Sequence, residues 1–451
     1  MNTGSTETNK YFLCTHMHFD ISFNGDHIIG VNVTTDPTLA HLLQPNQPSQ
    51  VIQFSYSVDW KPTKLTFKNR LARQQGHSFL PATMEIHWLS VINSLVLAIL
   101  LTAFLSIILL RVIKNDFTRY MRTEGDTELG EPETGWKLIH GDVFRVPRGL
   151  NLLCACLGAG AQLLIVGFTI LAMALSGAFV HGRRGSMMTS AIVLYCLTGF
   201  IGGYVSARLY RMFRGARWAW NIVLASLVFP LPLVIVFSFV NTAAIIQHST
   251  AALPFSTIMV ITAMWLLVAF PLTVLGGIAG RHSKEWKPPC RTNKVPRQIP
   301  QLSVWRRAPT QAFIAGFLPF SAISIELHYI FASIWGYRVY TVFGILMVAF
   351  VLLMVVTSFV TIAMTYFQLA GEDWQWWWRS MMSGGSVSLF IYAYCFFFHI
   401  NHSEMQGFLQ LSYFYGYSAI LSYAAFLIFG FVGFLSTFAF IRYLYSQVKS
   451  D

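Results

Sequence analysis

Nine long apolar stretches limit what this sequence can fold into more than any other feature. A bilayer core about 30 Å thick requires about 20 apolar residues in a helix that rises about 1.5 Å per residue. The stretches meet this length, and charged residues separate most of them. They cover residues 88–110, 150–180, 186–207, 218–240, 253–279, 310–335, 339–370, 381–400 and 408–441. The sequence therefore predicts an all-α polytopic membrane protein with nine transmembrane helices.

The composition agrees with this fold class. Only 11% of the residues are charged, whereas soluble proteins carry about 25%. The formal net charge of +12 can indicate nucleic acid. The basic residues lie between the apolar stretches, however, so we expect the lipid bilayer as a partner and no nucleic acid. The six cysteines contain no CxxC pair and predict neither a metal site nor a disulfide framework.

The Lys and Arg residues between the stretches predict the orientation of the helices. If the first helix ends in the cytosol, 22 of these residues lie in cytosolic loops or the tail, and 3 lie in the short opposite loops. The N-terminus is then lumenal and the C-terminus cytosolic. The shortest connection is a tight lumenal turn at residues 335–338. The expected segments are a lumenal region at 1–85, a first helix at 86–111, a cytosolic loop at 112–149, eight helices within 150–441, and a cytosolic tail at 442–451.

One cytosolic loop is rich in arginine. It contains Arg208, Arg211, Arg214 and Arg217. Such a loop can meet anionic lipid, although the ordinary excess of positive charge on the cytosolic side explains it equally well.

The first 85 residues are of a different kind and predict a small lumenal β-rich segment. Residues 18–34 are typical of a strand, a turn and a strand, with Asn24-Gly25 suited to the positive φ of a tight hairpin. Asn32-Val-Thr is an acceptor sequence for N-glycosylation. Five alternating apolar residues follow, which all face one side of a strand: Ile52, Phe54, Tyr56, Val58 and Trp60.

Motifs of catalysis are absent from the sequence. It contains no GxSxG, no P-loop, no HExxH and no dinucleotide-binding fingerprint. We therefore expect no enzyme activity, no catalytic residues and no cofactor.

Two ionisable residues, Glu326 and His328, lie inside the sixth apolar stretch. A carboxylate in hydrocarbon is costly unless it is paired, so an intramembrane acid indicates a functional site. One interpretation is a proton or ion relay, or a contact with the transmembrane helix of a partner. The other is a buried hydrogen bond that fixes helix packing.

Tryptophans cluster at the start of the eighth stretch. Together with the arginine that follows, they are Trp374, Trp376, Trp377, Trp378 and Arg379. Trp and Arg at the membrane boundary anchor helices at headgroup level. We expect these five residues to be interfacial anchors.

Small residues recur in the apolar stretches. Gly276 and Gly280 form a GxxxG pair, and Gly199, Gly202 and Gly203 cluster. Such residues let helices approach closely. They predict internal packing sites or, alternatively, a surface for other transmembrane helices.

The sequence resembles the transmembrane 9 superfamily, also called nonaspanins or endomembrane protein 70 proteins. The resemblance runs from about residue 18 to 451. Its landmarks are Val31-Asn-Val-Thr-Thr-Asp36, Tyr56-Ser-Val-Asp-Trp-Lys-Pro62, Glu85-Ile-His-Trp-Leu-Ser90, Arg111-Val-Ile-Lys-Asn-Asp116, Trp136-Lys-Leu-Ile-His-Gly-Asp142, Pro288-Pro-Cys-Arg-Thr-Asn-Lys294, Glu326-Leu-His-Tyr-Ile-Phe331 and Glu372-Asp-Trp-Gln-Trp-Trp-Trp-Arg-Ser380.

This resemblance implies a location and a role. Members of the family reside in Golgi and endosomal membranes, and their tails end in Lys-x-Asp or Lys-x-Glu, which binds the COPI coat. Lys449 and Asp451 match that ending. The family is linked to the sorting and membrane localisation of client transmembrane proteins. Its members have a signal peptide and a longer lumenal domain, so this chain is shortened at its N-terminus relative to the family.

Three functions follow from these observations. The leading one is a Golgi or endosomal sorting factor that COPI recycles through Lys449 and Asp451. The second is an ion- or proton-coupled transporter or channel that uses Glu326 and His328. The third is a structural subunit of a larger membrane complex.

Overall fold

The computed structural model describes most of the chain. The described residues are 11–36, 38, 40–43, 52–65, 81–125, 135–179, 184–284, 286–301, 304, 307–335, 343–403, 405 and 407–446. The chain forms two compact units, residues 1–88 and residues 89–451.

Helices dominate the second unit. In chain order they are α1 (Pro81–Gly125), α2 (Leu150–Leu175), α3 (Arg184–Leu197), α4 (Gly199–Met212), α5 (Trp218–Leu227), α6 (Pro230–Ile246), α7 (Phe255–Met264), α8 (Phe270–Arg281), α9 (Ala308–Trp335), α10 (Phe343–Ala370), α11 (Trp376–Gly385), α12 (Val387–His402) and α13 (Phe408–Ser446). A short 3-10 helix at Gly135–Ile139 precedes α2, and a π-helical turn at Trp265–Ala269 joins α7 to α8.

These helices provide eight candidate membrane spans within the described residues, or nine if α3 and α4 count together as one span. Eight are long and apolar enough to cross a bilayer by themselves, and α3 with α4 meet the same test as a pair that is bent by 40°. The prediction of a polytopic helical membrane protein is therefore confirmed. The expected tight turn at 335–338 falls largely outside the described residues, which end at Trp335 and begin again at Phe343.

Two spans are interrupted where a proline occurs. Pro230 is the first residue of α6, and Pro271 lies at the start of α8. Proline has no N–H to donate, so the carbonyl four residues earlier loses its partner and the helix breaks or adopts a wider turn. The expected loop at 112–149 instead begins as helix, since α1 continues to Gly125. Residues 112–124 contain no Gly or Pro to end it.

Helix α2 lies in the interior of the bundle, where it contacts α4, α5 and α13. Its middle is a run of small residues, and a Cβ at Gly158 would lie 2.5 Å from the carbonyl oxygen of Gly202. A Cβ at Gly160 would overlap the carbonyl oxygen of Leu427 on α13. The small residues therefore allow α2 to approach two neighbouring backbones closely, as internal packing sites should.

The bend between α3 and α4 has its own polar support. In a straight helix the carbonyl of Tyr195 would accept a hydrogen bond from the N–H of Gly199. Here the buried side chain of Gln162 on α2 donates to that carbonyl at 2.8 Å. A side-chain amide thus satisfies a backbone group that the bend exposes, as a bilayer interior requires.

The first unit contains the β-structure. Its strands are β1 (Tyr11–Cys14), β2 (His16–Asn24), β3 (His27–Thr35), β4 (Ala40–Leu43) and β5 (Ser55–Pro62). β2 and β3 form the predicted hairpin, with φ of +58° at Gly25. β5 adds to the other edge of β2 in parallel, and β1 pairs with β4. Tyr56, Val58 and Trp60 share one face of β5, as the alternation predicted.

Candidate functional site

Loops at one end of the helix bundle in the second unit are joined to one another by an ion pair and hydrogen bonds. They are residues 135–149, 286–299 and 371–379, together with the end of α13 at 441–446. We call these four segments the loop cap and the end of the bundle that carries them the capped end. A buried cluster of Trp136, Val143, Cys290, Trp376 and Tyr445 joins all four segments.

Indole nitrogens join the segments of the loop cap to one another. Trp376 donates to the carbonyl of Val143 at 2.9 Å. Trp374 donates to the carbonyl of Arg297 at 3.0 Å. Each bond ties residues 371–379 to a different loop, so the loops are fixed by the tryptophans between them.

Three of the tryptophans that were predicted to be interfacial anchors are buried within the loop cap. Trp374, Trp376 and Trp377 are 8%, 0% and 3% exposed. A buried ring cannot lie among lipid headgroups. Trp378 is half-buried and donates to the carbonyl of Arg148 at 2.7 Å. Folding of distant loops over the helix ends removes these rings from the membrane boundary.

Arg379, the fifth predicted anchor, belongs to a set of ion pairs within the loop cap. Two of the acids, Asp142 and Asp373, are almost fully buried. Charges at such depth are stable only when paired and hydrogen-bonded. The pairs are Arg145 with Asp142 at 2.5 Å, Arg379 with Asp373 at 2.9 Å, and Arg297 with Glu372 at 3.3 Å.

The loop cap also holds the end of the last helix. Tyr445 is fully buried, and its hydroxyl donates to the carbonyl of Trp136 at 2.8 Å. The Cys290 thiol donates to the carbonyl of Tyr445 at 3.8 Å, and burial raises the pKa of this thiol. The predicted sorting residues Lys449 and Asp451 lie outside the described residues, a few positions beyond this fixed point.

Glu326 and His328 lie on α9 but have different surroundings. Glu326 is 4% exposed and lines a cavity between α1, α9 and α10 with a volume of about 10 Å³. A cavity of that size holds about one water molecule at most. The imidazole of His328 is 3.0 Å from the Tyr394 hydroxyl on α12, and its ring lies 4.9 Å from that of His402. Within the described residues, Glu326 and His328 thus have separate protein surroundings.

The predicted glycosylation acceptor Asn32 is exposed in β3, an edge strand of the three-stranded sheet. Opposite it in register is Asp20. The same polar face brings together His18, Asp20 and Asp59, whose potential metal-ligand atoms lie within 4.8 Å of one another. Lys61 already forms an ion pair with Asp20. No metal site was predicted from the sequence, and this grouping could not be seen there, because only the parallel register of β2 with β5 creates it.

The loop cap was the principal feature that sequence reasoning missed. Its tryptophans were recognised, but their position beside an apolar stretch indicated a membrane boundary. The sequence contained one further sign of a folded loop. Trp136 and Asp142 lie at the two ends of a short segment between the spans that is neither apolar nor highly charged. Such residues outside the spans indicate that a loop has a core of its own.

The chain is similar to proteins of one family. The family model described as Endomembrane protein 70 matches residues 1–408. The chain is 48% identical over 443 residues to Transmembrane 9 superfamily member 4 of Arabidopsis thaliana, covering 98% of this chain and 74% of that protein. It is 44% identical over 453 residues to Transmembrane 9 superfamily member 1 of Bos taurus, covering 98% of this chain and 75% of that protein. No solved structure matches. The chain is therefore a polytopic membrane protein that belongs to the transmembrane 9 superfamily.

Proposed function

We propose that this protein is a sorting factor of Golgi and endosomal membranes that controls the membrane localisation of other transmembrane proteins. In this proposal the capped end faces the cytosol and the β-rich unit faces the lumen. The COPI coat reads Lys449 and Asp451 and returns the protein to its compartment. The proposal assigns it no catalytic activity and no cofactor.

The observation that carries this proposal is the burial of the last helix end in the loop cap. Ile441, Leu444 and Tyr445 are each at most 2% exposed. Lys449 and Asp451 lie four and six positions after Tyr445. Residues so near a fixed point at the end of a span stay close to the membrane surface, where a membrane-apposed coat binds.

Client transmembrane helices need apolar surface at membrane depth, and two spans offer it. In the spans Leu95–Asn115 and Phe255–Arg281, only 11% of the residues in the most apolar 18-residue window are buried. Side chains on these spans face the bilayer in the isolated chain. Association of helices within lipid depends on close packing between such surfaces.

Transport through Glu326 is the second candidate. Its support is the near-complete burial of a carboxyl group on a transmembrane helix, which is costly and marks functional positions. The small volume of the adjacent cavity argues against an open path in this conformation. We therefore rank transport below sorting.

The sorting proposal is tested by the location of a fluorescently tagged copy. The tag is inserted within residues 126–134, outside the loop cap, so that the C-terminus stays free. We expect the wild-type protein in the Golgi and the variant Lys449→Ala/Asp451→Ala at the cell surface or in lysosomes. Ser450→Ala is the matched control and should remain in the Golgi. Identical locations for the double variant and the wild type would contradict recycling through the tail.

The transport candidate is tested with purified protein in liposomes that contain a pH-sensitive dye. Proton flux above that of empty liposomes, abolished by Glu326→Gln, would favour transport. Under the sorting proposal, the wild-type protein and the variant both behave as empty liposomes.

The proposed orientation is tested separately by glycosylation. If the β-rich unit is lumenal, an endoglycosidase should increase the gel mobility of the wild-type protein. The variant Asn32→Gln should then lack that shift. A tag within 126–134 that is protected from protease in sealed microsomes would contradict this orientation.

A further inference from the structure

Three exposed arginines meet where α4 and α8 end at the capped end of the bundle. They are Arg208, Arg211 and Arg281. A seam of glycines lets the two helices pack in close contact. A methyl group at Gly276 would overlap the carbonyl oxygen of Phe200, and one at Gly280 would overlap that of Tyr204. We call the three arginines the arginine junction.

Contacts with the protein orient these side chains without neutralising them. Arg211 donates to the carbonyl of Arg281, the last residue of α8. The Arg281 guanidinium lies 4.6 Å from the ring centroid of Trp218, the first residue of α5. Arg208 lies over the ring of Tyr204 at 5.9 Å and donates to its hydroxyl at 3.3 Å. Cation–π and carbonyl contacts of this kind hold a guanidinium in place and leave its positive charge intact.

Acidic partners for the arginine junction are absent from the part of the chain that the structure describes. The three acids of the loop cap are each paired with another arginine, as described above. Arg214 and Arg217, also exposed, add positive charge in the turn between α4 and α5. The general excess of basic residues on one side of a membrane accounts for their sign. It does not require three of them to converge from two helix ends.

The arginine junction lies at the depth of lipid headgroups. Arg281 is the last residue of the span Phe255–Arg281, and Trp218 is the first residue of the span Trp218–Ile246. Trp and Tyr beside Arg at the ends of spans are typical of the membrane–water boundary. The anionic groups that a membrane presents at this depth are the headgroups of its lipids.

We propose that the arginine junction binds the headgroup of a phosphoinositide, a phospholipid with additional phosphate on its inositol ring. Guanidinium groups bind phosphate oxygens through two parallel hydrogen bonds, and a phosphate monoester carries more charge than the diester of common phospholipids. Three arginines at two adjacent helix ends supply several positive charges for the several negative charges of such a headgroup. This inference rests on the proposed cytosolic orientation of the capped end and assigns a lipid ligand to it.

The test measures binding of fluorescent phosphatidylinositol 4-phosphate to the purified full-length protein in nanodiscs of phosphatidylcholine. We expect saturable binding to the wild-type protein. Arg208→Gln/Arg211→Gln/Arg281→Gln should bind at least about tenfold more weakly, because each lost charge-assisted contact is worth on the order of 1.5–3 kcal/mol. The control is Lys287→Gln/Arg291→Gln/Lys294→Gln, which removes the same charge from exposed positions of the loop cap and should bind like the wild type.

A second variant guards against misfolding of the triple substitution. Arg211→Lys/Arg281→Lys keeps the charge but removes the planar fork, and it should weaken binding while leaving the thermal unfolding temperature in place. Equal loss of binding in the control would show non-specific attraction and overturn the proposal. Absence of wild-type binding would overturn it as well. Equal competition by free inositol phosphate and by unlabelled lipid would indicate a soluble anion site instead.

Discussion

The span formed by α2 and the span formed by α7 and α8 are similarly apolar but have opposite surroundings. The most apolar 18-residue windows of the two spans have mean hydropathies of 2.0 and 2.4, yet 67% of the residues in the first window and only 11% in the second are buried within the protein. The interior span is rich in Gly, Ala and Cys, whereas the peripheral one exposes Leu266, Leu267 and Leu275. In a bilayer, apolar character does not separate inside from outside. Side-chain size does, since small residues let helices approach.

The largest expected effect comes from enlarging a glycine of the interior span. Gly160→Leu would force a side chain into the backbone of α13, where a Cβ alone already overlaps the Leu427 carbonyl. Overpacking costs about 1–3 kcal/mol and more when a backbone must move. We expect loss of most of the monodisperse protein in size-exclusion chromatography after mild heating.

Gly167→Leu on the same helix is the control for this substitution. A Cβ there would meet only Phe350, at 3.9 Å. It should retain a near-native profile. Equal behaviour of the two variants would mean that close helix approach does not decide which span is interior.

The second prediction asks whether the interior tolerates charge only when it is paired. Arg379→Met leaves the buried Asp373 carboxylate without its 2.9 Å partner. Breaking a buried pair costs about 3–5 kcal/mol. Arg379 itself is about a fifth exposed, so we expect a decrease in unfolding free energy near the lower end of that range.

The control is Arg297→Met. Its pair with Glu372 is more exposed and longer, at 3.3 Å, and exposed pairs contribute about 0–1 kcal/mol. Thermal unfolding in detergent measures both variants. A comparable decrease for the two would contradict the role of burial.

The third prediction concerns the polar support that α2 gives to its neighbour. Gln162→Leu removes the shorter of two side-chain hydrogen bonds to the Tyr195 carbonyl at the bend between α3 and α4, and it leaves the 3.3 Å bond from the Thr198 hydroxyl. Loss of one such hydrogen bond costs about 0.5–1.5 kcal/mol. We expect a moderately lower unfolding temperature, while Gln247→Leu, at an exposed helix end, should leave it unchanged.

The smallest effect is expected on the peripheral span. Leu267 is 72% exposed on a span that faces the bilayer. Both leucine and alanine contact lipid at this position, so Leu267→Ala should change stability by less than about 0.5 kcal/mol. Leu157→Ala, at a fully buried position of α2, should cost about 2–5 kcal/mol. Similar losses of stability for the two variants would indicate that α7 and α8 are covered by another helix.

Hydropathy predicted the spans well because bilayer thickness sets their length. It did not reveal the bend at Thr198 or the π-helical turn at Trp265–Ala269, since these depend on neighbours such as Gln162 or on a proline within an otherwise continuous apolar stretch. The β2–β3 hairpin was predictable because Asn24-Gly25 is a local signal. The pairing of β5 with β2 depends on residues far apart in sequence.

The candidate site was predicted less well than the fold, for a related reason. Trp376 was recognised as unusual, but its partner Val143 is separated from it by 233 positions. A local pattern cannot show that distant loops cover a ring. The location of Glu326 within a helix was predicted, whereas the small size of the cavity beside it depends on three helices packing together.

The loop cap has a consequence for the order in which the chain matures. Tyr445 bonds to Trp136 across 309 positions, and synthesis proceeds from the N-terminus with early segments folding first. Residues 135–149 are thus made long before the helix end that completes their core. Until α13 is inserted, the apolar surface around Trp136 lacks its final cover. Completion of the loop cap therefore requires insertion of α13, and a product that stops before this helix presents that uncovered surface to quality-control chaperones.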